Sequence, residues 1–167
     1  MTILGIDPGL GSTGWAVLVG DPEHPVLSGY GAIHTDPRLD LAQRLLVICE
    51  GIRELLARHR PEEVAVEDVF LARDTRAALA LGQARGAAML GAALGGVPVR
   101  SYSAREIKQS VTGNGRASKE QVAFMVERLL GLSEPPRPAD CADAAAIALC
   151  HLHRREAADL RAVGARQ

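Results

Sequence analysis

Lysine is nearly missing from this chain. Of its 19 Lys and Arg residues only Lys108 and Lys119 are lysines, so arginine supplies almost all of the positive charge. Cysteine is scarce as well: Cys49, Cys141 and Cys150 are odd in number and form no Cys-x-x-Cys pair, which argues against a disulfide framework or a zinc ribbon and predicts reduced, packed thiols. No apolar leader of the secretory kind opens the chain, because Asp7 interrupts the first hydrophobic run. The most apolar window, 77–99, is built from Ala and Gly and carries Gln83, Arg85 and Pro98, so a membrane span is not expected. These absences predict a cytoplasmic protein. Phenylalanine occurs twice, Phe70 and Phe124, and core packing is the ordinary reading of each. What remains is ordinary: 47% hydrophobic and 23% charged residues mark a globular chain, and 167 residues suit one domain with a sizeable core.

The net charge of -1 hides an uneven distribution. Between positions 100 and 128, Arg100, Arg105, Lys108, Arg116, Lys119 and Arg128 outnumber Glu106, Glu120 and Glu127, and both lysines fall inside that stretch. Lysine is a compact charge on a flexible stem and meets a phosphate without the bidentate geometry of arginine. A phosphate-contacting role and a chance clustering of two residues are about equally good explanations at this point.

Strands are predicted at Thr2 to Asp7, Gly14 to Val19 and Val26 to His34, joined by short turns as an antiparallel meander. Asp36-Pro37 reads as a helix start, with Leu41, Leu45, Ile48, Ile52, Leu55 and Leu56 on one face up to His59-Arg60-Pro61. A buried strand, 64–66, follows. Then come a helix from Thr75 to Leu94, a strand Val97 to Ser101, and helices at Ala104 to Val111, Ser118 to Leu130 and Ala139 to about Arg155. This is an α/β chain with no obvious linker: a single domain over 1–155 and a polar tail, 156–167, expected to fray. The helix Thr75 to Leu94 is unusual, since Ala78, Gly82 and Gly86 form a small-residue stripe and Arg85 is its only charge after Arg76. It either packs tightly on its own sheet or meets a second copy of the chain, and the second is favoured because so small a chain has few layers to cover it.

Asp7 ends the apolar run Ile3-Leu4-Gly5-Ile6 and is followed by Pro8-Gly9 and a glycine-rich turn. A carboxylate at the tip of a buried strand needs hydrogen bonds, a cationic partner or a metal ion. Backbone N–H groups of the turn from Gly9 to Gly14 would satisfy it equally well. Glu67-Asp68 repeats the setting after Val64-Ala65-Val66. Asp140 and Asp143, three apart, share one face of a first helical turn after Pro135-Pro136-Arg137-Pro138; alone, they read as a cap and a charge favouring the helix dipole. If Asp7, Glu67, Asp140 and Asp143 converged they would repel, and cations would be required. Oxygen ligands without histidine or cysteine suit Mg²⁺ or Mn²⁺. Two such ions about 4 Å apart clamp both oxygens of an in-line phosphoryl displacement. Cys141 points away from Asp140, and His151 and His153 beside Cys150 do not converge on a helix face, so neither set reads as a ligand group.

Gly5-Ile6-Asp7-Pro8-Gly9, Val66-Glu67-Asp68-Val69-Phe70, Leu81-Gly82-Gln83-Ala84-Arg85-Gly86, Lys108-Gln109 and Asp140-Cys141-Ala142-Asp143-Ala144 together resemble the bacterial RuvC family of Holliday-junction resolvases, from residue 1 to about 153. The resemblance implies a ribonuclease-H-like fold with a central mixed five-stranded sheet flanked by helices, and a homodimer. It also implies symmetric, Mg²⁺-dependent nicking of a four-way DNA junction that leaves 5′-phosphate and 3′-hydroxyl ends. By the same resemblance Asp7, Glu67, Asp140 and Asp143 form the catalytic tetrad and hold two Mg²⁺, with Mn²⁺ able to substitute, and Asp7 bridges the two ions. Lys108 and Lys119 contact phosphate. Phe70 stacks on a base near the crossover, a contact worth about 1–3 kcal/mol per base, while Phe124 stays in the core. Arg73, Arg76 and Arg116 are expected DNA contacts, Arg116 within a mobile turn, Gly113-Asn114-Gly115-Arg116, that departs from the family pattern. RuvA and RuvB branch-migration proteins are the implied partners. Two other readings compete: a ribonuclease-like relative that processes RNA, and an actin-like or sugar-kinase-type ATP-binding domain, which needs two such domains where this length supplies one.

Overall fold

The computed structural model describes residues 1–68 and 75–164, with side chains as far as Arg155. Three strands open the chain: β1 (Thr2–Asp7), β2 (Ser12–Val19) and β3 (Val26–His34). Helix α1 (Leu41–His59), strand β4 (Glu63–Glu67), helix α2 (Thr75–Leu94) and strand β5 (Val99–Tyr102) follow, and three helices close the chain: α3 (Ala104–Thr112), α4 (Lys119–Leu129) and α5 (Ala139–Gly164). The sheet order is β3-β2-β1-β4-β5. β1, β2 and β3 form the antiparallel meander expected from the sequence, whereas β1, β4 and β5 run parallel, so the five-stranded sheet is mixed.

Strand periodicity sorts the side chains into two cores. Leu4, Ile6, Val17, Val64 and Val66 point to one face and pack with Ile48 and Ile52 of α1 and Ala84, Ala88 and Ala92 of α2. Ile3, Ala16, Leu18 and Ala65 point to the other and pack beneath α3, α4 and the alanine-rich α5. Gly5 and Gly14 make the second layer feasible. A Cβ on Gly5 would stand 2.2 Å from the Ala144 carbonyl oxygen and one on Gly14 2.2 Å from that of Asp140, so any side chain there would push α5 off the sheet.

Several boundaries differ from expectation. Helix α1 begins at Leu41, not at Pro37: Asp40 accepts the Gln43 N–H, and the Gln43 side chain returns to the Asp40 N–H, a complete capping box. The Asp36 carboxylate is held by Arg38 instead, at 2.6 Å. Leu41, placed on the buried face by periodicity, is exposed because it lies in the first turn, ahead of the stretch that crosses the sheet. Helix α5 continues past Arg155 to Gly164. All three cysteines are buried and free, as expected, and burial pushes the Cys141 and Cys150 thiols up to about 11. His151 is buried between Tyr102, whose Oη lies 2.8 Å from its Nδ1, and Glu63, while His153 lies 3.2 Å from Ser110 Oγ.

Helix α2 buries one face within its own domain and leaves the other exposed. By length and composition it is apolar enough to cross a membrane, yet Ala84, Ala87, Ala88, Gly91 and Ala92 pack into the domain. Its other face carries Leu79, Leu90 and Leu94, each more than half exposed, and Gly82 and Gly86, over which nothing stands within 4 Å of an added Cβ. Phe124, expected in the core, is exposed and lies under the Arg128 guanidinium, 5.4 Å from its ring centroid. Val122 and Val126 fill the buried face of α4 in its place.

Candidate active site

Alternation along β1 puts Asp7 on the same face as Ile3 and Gly5, under α5, and alternation along β4 puts Glu67 on the same face as Ala65. The parallel pairing Ile6↔Val66 sets the two strand tips side by side. Helix α5 enters over β2 and lays Asp143, one residue before the Ala144 that rests on Gly5, next to them. Asp7, Glu67 and Asp143, with Lys108 of α3 and Lys119 of α4, line one cavity of about 190 Å³ whose remaining wall is apolar: Ala104, Ile107, Val122, Ala146 and Ile147. The two lysines, near each other in the sequence, meet across the same cavity.

Asp140 is placed differently. Its carboxylate Oδ2 accepts a hydrogen bond from Ser12 Oγ at 2.7 Å, and it is not among the residues lining that cavity. It is the second residue of α5, inside the helix and not at the N-cap position that its sequence setting favoured when taken alone. Ser12 carried no signal that would have marked it as a partner. Asp68, which shares an acid pair with Glu67 in sequence, follows on the other side of the sheet, where its Oδ1 lies 3.2 Å from the Arg85 guanidinium of α2.

The electrostatics follow from this crowding. Burial, and then the charges of Asp143, Glu67 and Asp140, push the Asp7 carboxyl up to about 8, with only Lys119 opposing. Glu67 is raised by burial and by Asp143, against Lys119 and Lys108. The glycine turn does not satisfy Asp7. Thr13 Oγ1 donates to the Gly9 carbonyl at 2.9 Å, Thr35 Oγ1 and Arg44 both donate to the Leu10 carbonyl, and among the described residues no backbone N–H of the turn reaches the Asp7 carboxylate. The cation now beside the acids is Lys119, whose Nζ donates to Asp143 Oδ2 at 2.9 Å and is itself held in the charged form by that bond.

A hard divalent cation fits this donor set. The atoms on offer are carboxylate oxygens, and ionising Asp7 in the presence of three other acids needs added positive charge. Among the described residues no three of His, Cys, Asp and Glu yet stand at the spacing that would hold one ion; the acids line a cavity without closing on a point.

The other expected DNA contacts are scattered. Arg76 is exposed in the first turn of α2. Arg116 is exposed in a turn that the Gln109 side chain closes, its amide donating to the Gly113 carbonyl at 2.8 Å and accepting from Gly115 N at 3.1 Å. Phe70 and Arg73 lie outside the described residues.

The family model for the crossover junction endodeoxyribonuclease RuvC matches residues 3–151. The chain is 48% identical over 155 residues to the crossover junction endodeoxyribonuclease RuvC of Salinispora arenicola, covering 92% of this chain and 89% of that one. It is 47% identical over 164 residues to the RuvC of Rhodopseudomonas palustris, covering 98% and 94%. Among solved structures, it superposes on T. thermophilus RuvC in complex with Holliday junction substrate with a TM-score of 0.88 and 40% identity, covering 94% of this chain and 96% of that one. The mixed five-stranded sheet, the acids gathered at its strand tips and this agreement over nearly the whole length place the chain in the RuvC family of crossover junction endodeoxyribonucleases, on the ribonuclease-H-like fold.

Proposed function

We infer that this chain is a metal-dependent, structure-selective endonuclease that resolves Holliday junctions by paired symmetric nicks, acting in homologous recombination and DNA repair. The observation that carries the reading is a half-buried acid, Asp7, at a strand tip, crowded by Glu67, Asp143 and Asp140 beside a cavity that two lysines also line. The reaction is phosphodiester hydrolysis: a water attacks phosphorus and the 3′-oxygen leaves, giving 5′-phosphate and 3′-hydroxyl ends. Asp7, Glu67, Asp140 and Asp143 would hold the divalent cation, which we assign as Mg²⁺, two per site, with Mn²⁺ able to substitute. When bound, it neutralises the acids, lowers the pKa of the attacking water and stabilises the leaving oxygen.

The chain's own residues do the rest. Lys108 and Lys119 meet non-bridging phosphate oxygens as point charges, Arg73, Arg76 and Arg116 hold the flanking backbone, and Phe70 stacks on a base at the crossover. Phosphate contacts carry no sequence information, so cleavage preference arises from base contacts or from junction distortion. Two sites are needed for paired nicks, and the exposed apolar face of α2, with Leu79, Leu90 and Leu94, suits a second copy of the chain. RuvA and RuvB are the partners we assign, and the cytoplasm the compartment.

The test is a comparison of substrates. The protein is incubated with a synthetic four-way junction, a linear duplex of matched sequence and RNA, with and without Mg²⁺. Paired nicks confined to the junction and to the Mg²⁺ arm are expected; equal cutting of RNA, or ATP hydrolysis without nicking, overturns the reading. Asp7→Asn is expected to bind the junction normally and to nick it about a thousandfold more slowly, the scale of losing several kcal/mol of transition-state stabilisation.

A further inference from the structure

Arg85 is the one charged residue of α2 beyond Arg76, in a helix otherwise built from small and apolar residues. Its side chain is only 20% exposed and ends in three contacts. Nε donates to the main-chain carbonyl of Glu67 at 3.0 Å, one terminal nitrogen donates to Ser101 Oγ at 2.7 Å, and the same nitrogen lies 3.2 Å from Asp68 Oδ1. These partners are the last residue of β4, the residue after it and a residue of the neighbouring strand β5. A planar guanidinium anchored through Nε and one terminal nitrogen has a fixed orientation, and so do the groups it binds.

Glu67 and Asp68 are adjacent carboxylates at one strand tip. A strand presents successive side chains to opposite faces, so a small rotation of the chain at its tip changes which acid turns toward the cavity, and in what direction. Arg85 opposes that rotation twice, by holding the Glu67 carbonyl and by keeping Asp68 in an ion pair on the α2 side. We propose that Arg85 is a positioning residue for Glu67, fixing the direction in which this carboxylate is presented to the cation site. The proposal rests on Glu67 being a cation ligand, as assigned above. It gives a purpose to the lone charge in an apolar helix, and lysine, which has a single nitrogen in place of the paired Nε and terminal donors, is a poor substitute for it.

The experiment reads Mn²⁺ binding to the DNA-free full-length protein by electron paramagnetic resonance. It then reads the Mg²⁺ concentration for half-maximal nicking at saturating junction. The variants are Arg85→Gln, Arg85→Lys, Ser101→Ala and Glu67→Gln. Arg85→Gln is expected to weaken Mn²⁺ binding about tenfold, the usual scale for losing a group that orients a ligand, and to raise the Mg²⁺ requirement in proportion. Arg85→Lys recovers little of either. Ser101→Ala, which removes one anchor, shifts both in the same direction by less. Wild-type Mn²⁺ affinity in folded Arg85→Gln, alongside weakened binding in Glu67→Gln, overturns the positioning role and leaves the ligand assignment standing. Wild-type affinity in Glu67→Gln removes the ligand assignment and this proposal with it. If Arg85→Gln does not fold, Ser101→Ala decides: unchanged Mn²⁺ affinity there overturns the proposal.

Discussion

A protonated Asp7 has a consequence that can be measured without DNA. In the fold its carboxyl keeps the proton up to about pH 8, whereas an unperturbed aspartate ionises near 3.8. Between those values unfolding releases a proton, so the metal-free protein is most stable below the lower value and loses stability as pH rises through the upper one. Glu67, also raised, adds to the same trend. We expect the melting temperature in a chelator to fall by several degrees from pH 5 to pH 8.5, at about 2–4 °C per kcal/mol for a chain of this size. Asp7→Asn should flatten that profile, and a flat wild-type profile would show that the acids are not crowded. Lys108 makes a second prediction at this scale. If it meets a phosphate, Lys108→Gln weakens junction binding and lowers the slope of log affinity against log salt by about one, measured by titration at several salt concentrations.

Among the elements, two glycine environments have opposite signs. Gly5 lies where α5 crosses β1, with a backbone carbonyl in the space a Cβ would take. Backbone cannot move aside as a flexible side chain does, so Gly5→Ala should cost about 1–3 kcal/mol or more in urea unfolding and displace Asp143 from the strand tips, lowering nicking as well. Gly82, on the open face of α2, has nothing within 4 Å. Gly82→Ala is therefore expected to stabilise the isolated chain by up to about 1 kcal/mol through helix propensity, with nicking rate and stability moving apart if a second copy packs there. The capping box at Asp40 and Gln43 explains why Asp36-Pro37 misled as a helix start. Both are sound starting signals, but only Asp40 has a side chain three residues on that answers it.

For the whole molecule, the proposed packing of a second copy on the exposed leucines of α2 would connect the fold to paired cutting. Leu79 and Leu94 are each 63% exposed on a face that carries no charge to keep it in water after Arg76, apart from the inward-turned Arg85. Leu90→Glu should convert a dimer to a monomer in sedimentation velocity. It should also replace paired nicks by single, uncoupled ones on a supercoiled cruciform. A dimer that persists with paired nicks would move the contact elsewhere.

Part of the arrangement of the acids was legible in the sequence. The period of two along β1 and β4 already assigns Asp7 and Glu67 to the face opposite Leu4, Ile6, Val64 and Val66, and the i, i+3 spacing already puts Asp140 and Asp143 on one side of their helix. The element types were readable because hydrophobic period is a local property of the chain, whereas the mixed sheet was implied only by the family resemblance, since parallel pairing of β1, β4 and β5 joins distant segments. What the sequence could not contain is the crossing of α5 over Gly5 and Gly14, which brings carboxylates more than 130 positions apart to one cavity and turns Asp140 toward Ser12. Nor could it show that Asp68 would pair with Arg85 while its neighbour Glu67 faces the lysines. Those outcomes depend on which strand a helix lies across and on what stands over each strand tip, and both are decided by packing between distant segments.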